Sequence, residues 1–190
     1  MSKRKELLLK MYDQLWNNIN RQISIVWQSL SGVVGSITLL VLGSNEVLDF
    51  DLAITLIVML CAWLMGHVYD SSLWCNRNLA IISNIERTLL CKKDIEEIHY
   101  FFENTKEKGM IEHLRLQWML GLGLSISIIL YHFYIRVFPG LESSIEYFQP
   151  LRSLPYLFLL LMVICLFFWR NSCIKKYRKF IQKSPGPEIN

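Results

Sequence analysis

Residues 23–43 read ISIVWQSLSGVVGSITLLVLG, with no charged residue among them. A bilayer core about 30 Å thick takes roughly 20 helical residues at about 1.5 Å each, so this stretch is long enough to cross one. Three further apolar runs follow, Leu52–Val68, Leu116–Ile135 and Leu154–Trp169. The third matches the first in length. The second and fourth reach it with Tyr69, Leu151 and a snorkelling Arg152. The fold class expected is all-α: a polytopic membrane protein with four transmembrane helices.

The charges orient the spans. Of the 20 Lys and Arg, all but Arg136 and Arg152 lie before the first run, between the second and third, or after the fourth. The first outer loop, Ser44–Asp51, carries Glu46, Asp49 and Asp51 and no base. The positive-inside rule then places both termini and the central segment in the cytoplasm of a cell whose inner membrane the chain spans. The expected segments are a cytoplasmic amphipathic helix (1–22), a transmembrane hairpin (23–69), a cytoplasmic helical hairpin (70–115), a second transmembrane hairpin (116–169) and a basic cytoplasmic tail (170–190). At 53% hydrophobic residues and a mean hydropathy of +0.31, the chain does not read as a soluble enzyme. The first run begins too far in and runs too long for a cleavable signal, and no lipidation motif is expected.

Within residues 3–22, Leu8, Met11, Tyr12, Leu15 and Ile19 recur at helical steps, a helix that lies on the inner leaflet or packs under the bundle. Nothing breaks the helix between Gly66 and Cys91, so the second span is expected to continue into the cytoplasm. A further helix is expected near Asp94, with Glu97 completing a capping box, Ile95, Ile98 and Phe102 inside, and a break at Asn104–Gly109. Pro139-Gly140 should end the third span, and Ser153 should cap the fourth, with Pro155 in its first turn. Ser184–Asn190 reads as disordered.

At about 100° per residue the first span carries Ser24, Gln28, Ser31, Gly35 and Thr38 on one stripe, with Ser29, Gly32, Ser36 and Gly43 beside it. Polar groups in hydrocarbon are costly unless they face protein or water. Two readings follow. Ser31-x-x-x-Gly35 and Gly32-x-x-x-Ser36 are small-xxx-small pairs that bring helices together. Alternatively, several copies turn the stripe to a common axis and line a water path. Gly121/Ser125 and Gly123/Ser127 repeat the pattern in the third span, which suggests that spans one and three are interior and span four peripheral.

At the inner mouth of span two, His67, Asp70, Trp74 and Arg77 share one helix face. They form either a gate responsive to His67 protonation or an interfacial anchor. The following Asn76, Asn78 and Asn84 suggest buried hydrogen bonding or a ligand site. In the tail, Lys175, Lys176, Arg178 and Lys179 suit anionic lipid, or capture of a phosphate-rich signal such as an oligonucleotide. His132 is expected to be hydrogen-bonded or interfacial. No nucleophile–base pair, carboxylate pair or zinc-type cysteine spacing stands out, so neither enzyme nor cofactor is expected. Broken helices and inverted repeats of the transporter kind are missing.

The stretches Met11-Tyr-Asp-Gln-Leu-Trp16, Val26-Trp-Gln-Ser29, His67-Val-Tyr-Asp70, Trp74-Cys-Asn-Arg-Asn78 and Ile82-Ser-Asn-Ile-Glu-Arg87 resemble a set of small four-span bacterial inner-membrane proteins. Some of these are membrane effectors of anti-phage defence, which permeabilise the inner membrane after a cytoplasmic trigger. The Hailong type, with a nucleotide-controlled channel, is one comparison. The resemblance implies the four-span fold and topology and points toward a trigger-gated channel. The polar stripe of span one and the large cytoplasmic share suggest the same function. Because four helices enclose little volume, such a conduit is expected to be a homo-oligomer, with a cytoplasmic signalling partner or a nucleotide or oligonucleotide ligand. The other expected function is a non-conducting adaptor that recruits a cytoplasmic partner to the bilayer.

Overall fold

The computed structural model describes residues 3–45, 47–98, 112–140, 149–184 and 186. They form α1 (Lys3–Ser44), α2 (Phe50–Leu89), α3 (Lys92–Ile98), α4 (Glu112–His132) and α5 (Leu154–Lys183). No strand occurs among the described residues. Among the described residues, 4 helices are long and apolar enough to cross a membrane. At 40 residues, α2 is about 60 Å long, twice a hydrocarbon core.

The helices alternate in direction. α1 and α2 form an antiparallel hairpin whose turn is tied by Asn45 N–H to the Val41 carbonyl (3.0 Å) and Val47 N–H to the Leu42 carbonyl (3.1 Å). The Asp49 carboxylate caps α2 by accepting from Leu52 N–H at 3.0 Å. Gly43 lets the arms close, since a Cβ there would stand 2.9 Å from the Ala53 Cβ. At the other end, Tyr12, Leu15, Trp16 and Ile19 of α1 pack on Cys75, Leu79 and Ile82 of α2. The start of α1 and, through Phe180 on Arg77, the end of α5 therefore lie at one end of the bundle and the short α1–α2 turn at the other.

The hub is α2. Half of its apolar window, 50%, is buried, against 22% for α1, 17% for the α4 segment and 11% for the α5 segment. Spans one and three are thus not the interior helices of the subunit. The reason is side-chain size: Ala53, Cys61, Ser71, Ser72, Cys75, Ala80 and Ser83 are all buried on α2, so helices can close around it on several sides. Val26 and Val33 of α1 and Leu114 of α4 join Ile54, Ile57, Cys61, Leu64 and Val68 in one cluster. Ile129 of α4 and Met162 of α5 join Val58 and Met65 in another.

Several local expectations shift. Of the two placements expected for the amphipathic stretch 3–22, packing holds: α1 runs through it without a break and packs it on α2. α3 begins at Lys92, two residues before the expected Asp94 start. Asp94 instead reaches back to accept from Cys91 N–H at 2.9 Å, the third-position role of a capping box. Ser153 does not cap α5 with its side chain; its hydroxyl donates to the Pro150 carbonyl within a short 3₁₀ turn, while Pro155 does occupy the first turn. α4 gives way at Phe133 to one π turn, Phe133–Val137, and then a 3₁₀ turn over Phe138–Gly140. The return of the expected cytoplasmic hairpin, residues 99–111, lies outside the described residues, as do 185 and 187–190 of the tail.

Candidate functional site

The polar stripe of α1 faces away from the bundle. Ile19, Val26, Ser29, Val33, Ser36 and Gly43 make the buried face. Ser24, Gln28, Ser31, Gly35 and Thr38 are all exposed. At 100° per residue the centres of the two faces are about 160° apart, so the stripe is nearly opposite α2. Ser31 returns its hydroxyl to the Gln28 carbonyl at 2.6 Å. Among the described residues no hydrogen bond reaches the Gln28 side-chain amide. A Cβ on Gly35 would meet nothing within 4 Å.

The small pairs therefore divide. On α4, Gly121 and Ser125 are buried, and a Cβ at Gly121 would stand 3.1 Å from Met65 Cγ of α2. Gly123 and Ser127 are exposed. On α1 only Ser36 turns inward, while Gly32 lies beside the ring of Trp63. One set of small residues builds the subunit. The other is left on its surface, within the apolar windows of α1 and α4.

On span two, toward the end away from the α1–α2 turn, the His67 ring meets Trp63 edge-on at 4.5 Å. Arg77 does not pair with Asp70. Its guanidinium lies over the rings of Trp74 (4.7 Å) and of Phe180 on α5 (5.0 Å), holding the α5 extension against that of α2. Asn76 and Asn78 are buried, as is the Ser71 hydroxyl, which donates to Gln22 Oε1 of α1 at 3.3 Å. About two turns beyond Asn78, the Tyr12 hydroxyl donates to Glu86 Oε1 at 3.0 Å, and burial raises the Glu86 carboxyl above its ordinary range. On α5, Lys175, Lys176, Arg178 and Lys179 are all exposed, while Cys173, Tyr177 and Phe180 turn toward the bundle.

The short-loop end holds a cluster that sequence reasoning missed. Asp51, in the first turn of α2, is 1% exposed, and His132, the last residue of α4, is fully buried. His132 Nε2 lies 2.9 Å from Asp51 Oδ1, and its Nδ1 lies 2.9 Å from the Tyr156 hydroxyl of α5. Arg136 donates from Nε to Asp51 Oδ1 (3.2 Å) and from Nη2 to Oδ2 (3.3 Å). Phe50 stacks on the imidazole at 6.1 Å. One carboxylate and one guanidinium balance, and the imidazole bridges its two neighbours, with Nε2 donating to the Asp51 carboxylate and Nδ1 on the Tyr156 hydroxyl. The π turn allows His132 and Arg136 to converge on one carboxylate. The cluster ties α2, α4 and α5 together where their hydrophobic packing ends.

No group of three or more His, Cys, Asp or Glu able to hold a metal occurs among the described residues. No family model, curated protein or solved structure matches the chain.

Proposed function

We propose that the chain is a homo-oligomeric channel of the cell inner membrane with both termini in the cytoplasm, opened by a cytoplasmic signal. The observation that carries this reading is the outward α1 stripe. Ser24, Gln28, Ser31 and Thr38 are exposed at hydrocarbon depth, and the subunit offers the Gln28 amide no partner. In a bilayer such a face is covered by protein or water. A ring of copies supplies both, with the stripe turned to the axis and the exposed Gly35 allowing close approach.

The orientation rests on the clustering of Lys and Arg at the termini end. There the extensions of α1, α2 and α5 present the Trp74–Arg77–Phe180 stack and the row Lys175, Lys176, Arg178 and Lys179. These are the groups proposed to receive the trigger, an anionic lipid or a phosphate-bearing nucleotide or oligonucleotide. The effector role in anti-phage defence is proposed from the sequence resemblance alone, and phage plating efficiency on cells with and without the gene tests it.

Conductance of the purified protein in liposomes is the direct test. The wild type should pass current or dye in at least one state, and Gln28→Leu should lower conductance by a larger factor than it weakens self-association. Protein that passes neither current nor dye in any state, alone or with cytoplasmic extract, refutes the channel. It would favour the adaptor, for which the same cytoplasmic extensions are the docking surface.

A further inference from the structure

Beside the buried Asp51 cluster lies an open cavity of about 530 Å³, between the end of α1, the start of α2 and the end of α4. Asp49 and Arg136 stand on its wall together with Ser44, Leu48, Phe50 and Tyr131. Arg136 spends Nε and Nη2 on Asp51, which leaves Nη1 for the cavity. Gly43 and Ser44 bring to the wall the carbonyl end of α1, where partial negative charge gathers.

The level of the cavity in the bilayer is marked independently. Tyr131, which lines it, and Phe133, Tyr134 and Phe138, which follow along the same end of the span, are 45%, 39%, 71% and 57% exposed. Exposed aromatic rings at the end of an apolar span form the belt that sits at the lipid headgroups. The cavity therefore opens at headgroup height, with a cation and an anion on its wall.

We infer that this cavity is a binding site for a zwitterionic aminophospholipid headgroup of the phosphoethanolamine type. The phosphate lies on Arg136. The ammonium lies between Asp49 and the α1 carbonyl end, against the Phe50 and Tyr131 rings. A headgroup without an ammonium leaves Asp49 facing the lipid phosphate unopposed, so phosphatidylglycerol binds more weakly. The site depends on the chain spanning a bilayer and is independent of whether the α1 stripe conducts.

The test uses the full chain, delipidated in detergent and titrated with phosphatidylethanolamine or phosphatidylglycerol of identical acyl chains, read by native mass spectrometry. The wild type should retain phosphatidylethanolamine about five-fold more strongly, which is ~1 kcal/mol at 1.4 kcal/mol per tenfold. Asp49→Asn preserves the α2 cap, because Asn caps as well as Asp, and should erase that preference. Leu48→Trp fills the cavity and should weaken retention of either lipid. Equal retention of the two lipids by the wild type, tighter retention of phosphatidylglycerol, or an unchanged preference in a folded Asp49→Asn protein would each overturn the assignment.

Discussion

Replacing Asp51 with Ala removes the acceptor on which His132 and Arg136 converge. His132 Nε2–H then has no partner in a fully buried position, a cost of ~1–3 kcal/mol. Arg136 is different: its side chain is 34% exposed and can turn toward water or lipid headgroups, so its share is at most ~1 kcal/mol after screening. The lost carboxyl also leaves a small void, worth ~1 kcal/mol in a site that cannot collapse. Together these give ~3 kcal/mol, near the low end of what breaking a buried pair costs. For a chain of this size, that lowers the unfolding midpoint by about 6–12 °C. Thermal unfolding in detergent reads it directly. Tyr156→Phe should cost less, ~1 kcal/mol, since it removes a single hydroxyl at the far nitrogen of the imidazole. A cycle combining Asp51→Ala with His132→Ala separates the pair from mere loss of bulk. Single changes that add within ~0.5 kcal/mol, or an Asp51→Ala midpoint within about 2 °C of wild type, would refute the account of this cluster as a tie between helices.

The glycines give a contrast that needs no functional assay. Gly43→Ala puts a Cβ 2.9 Å from the Ala53 Cβ and 3.4 Å from the Phe50 ring and should cost ~1–3 kcal/mol by overpacking. Gly35→Ala meets nothing and should leave subunit stability unchanged while weakening self-association, measured by crosslinking in membranes. Burial raises the Glu86 carboxyl above its ordinary 4.5, so the folded state holds that proton more tightly than the unfolded one. The stability this provides is complete below 4.5 and is lost as pH rises through the elevated value. Glu86→Gln should flatten that part of the pH–stability curve. The buried Cys75 thiol is pushed up to about 11 and should resist maleimide at neutral pH in folded protein, whereas the exposed Cys91 should react. In intact cells an impermeant maleimide should spare Cys91; rapid labelling from outside would invert the proposed topology.

What the sequence discloses depends on how local the physics is. Span lengths are legible because hydropathy over residues 23–43 or 116–135 is set by the run itself. The unbroken α2 is legible because no Gly or Pro stands between Gly66 and Leu89. That α2 is the hub is less visible, since small residues scattered along a helix have no obvious period, whereas the paired Gly and Ser of α1 and α4 announce themselves. The Asp51 cluster joins residues 81 and 85 positions apart. In the sequence, Asp51 reads as one more acid of an acidic loop. The available signal was the His132–Arg136 spacing of one turn at the end of an apolar span, with a carboxylate opening another span at the same level.

The outward stripe gives the oligomer reading its force, and its members do not contribute equally. A Ser or Thr hydroxyl in a helix can return its hydrogen bond to a carbonyl three or four residues back, as Ser31 does to Gln28. Those residues are tolerable in lipid without a neighbour. A glutamine amide carries two donors and two acceptor lone pairs, more than its own helix can satisfy. Of Ser24, Gln28, Ser31, Gly35 and Thr38, only Gln28 compels a partner. A hydrogen bond between helices in a bilayer is worth only ~0.6–2 kcal/mol. One such bond per interface cannot weld copies together, although close packing at Gly35 adds to it. The physical expectation is an assembly that is reversible and dependent on protein density in the membrane. In that regime a modest bias at the termini end, such as an anion drawn to Lys175, Lys176, Arg178 and Lys179, is large enough to shift the balance between separate subunits and ring.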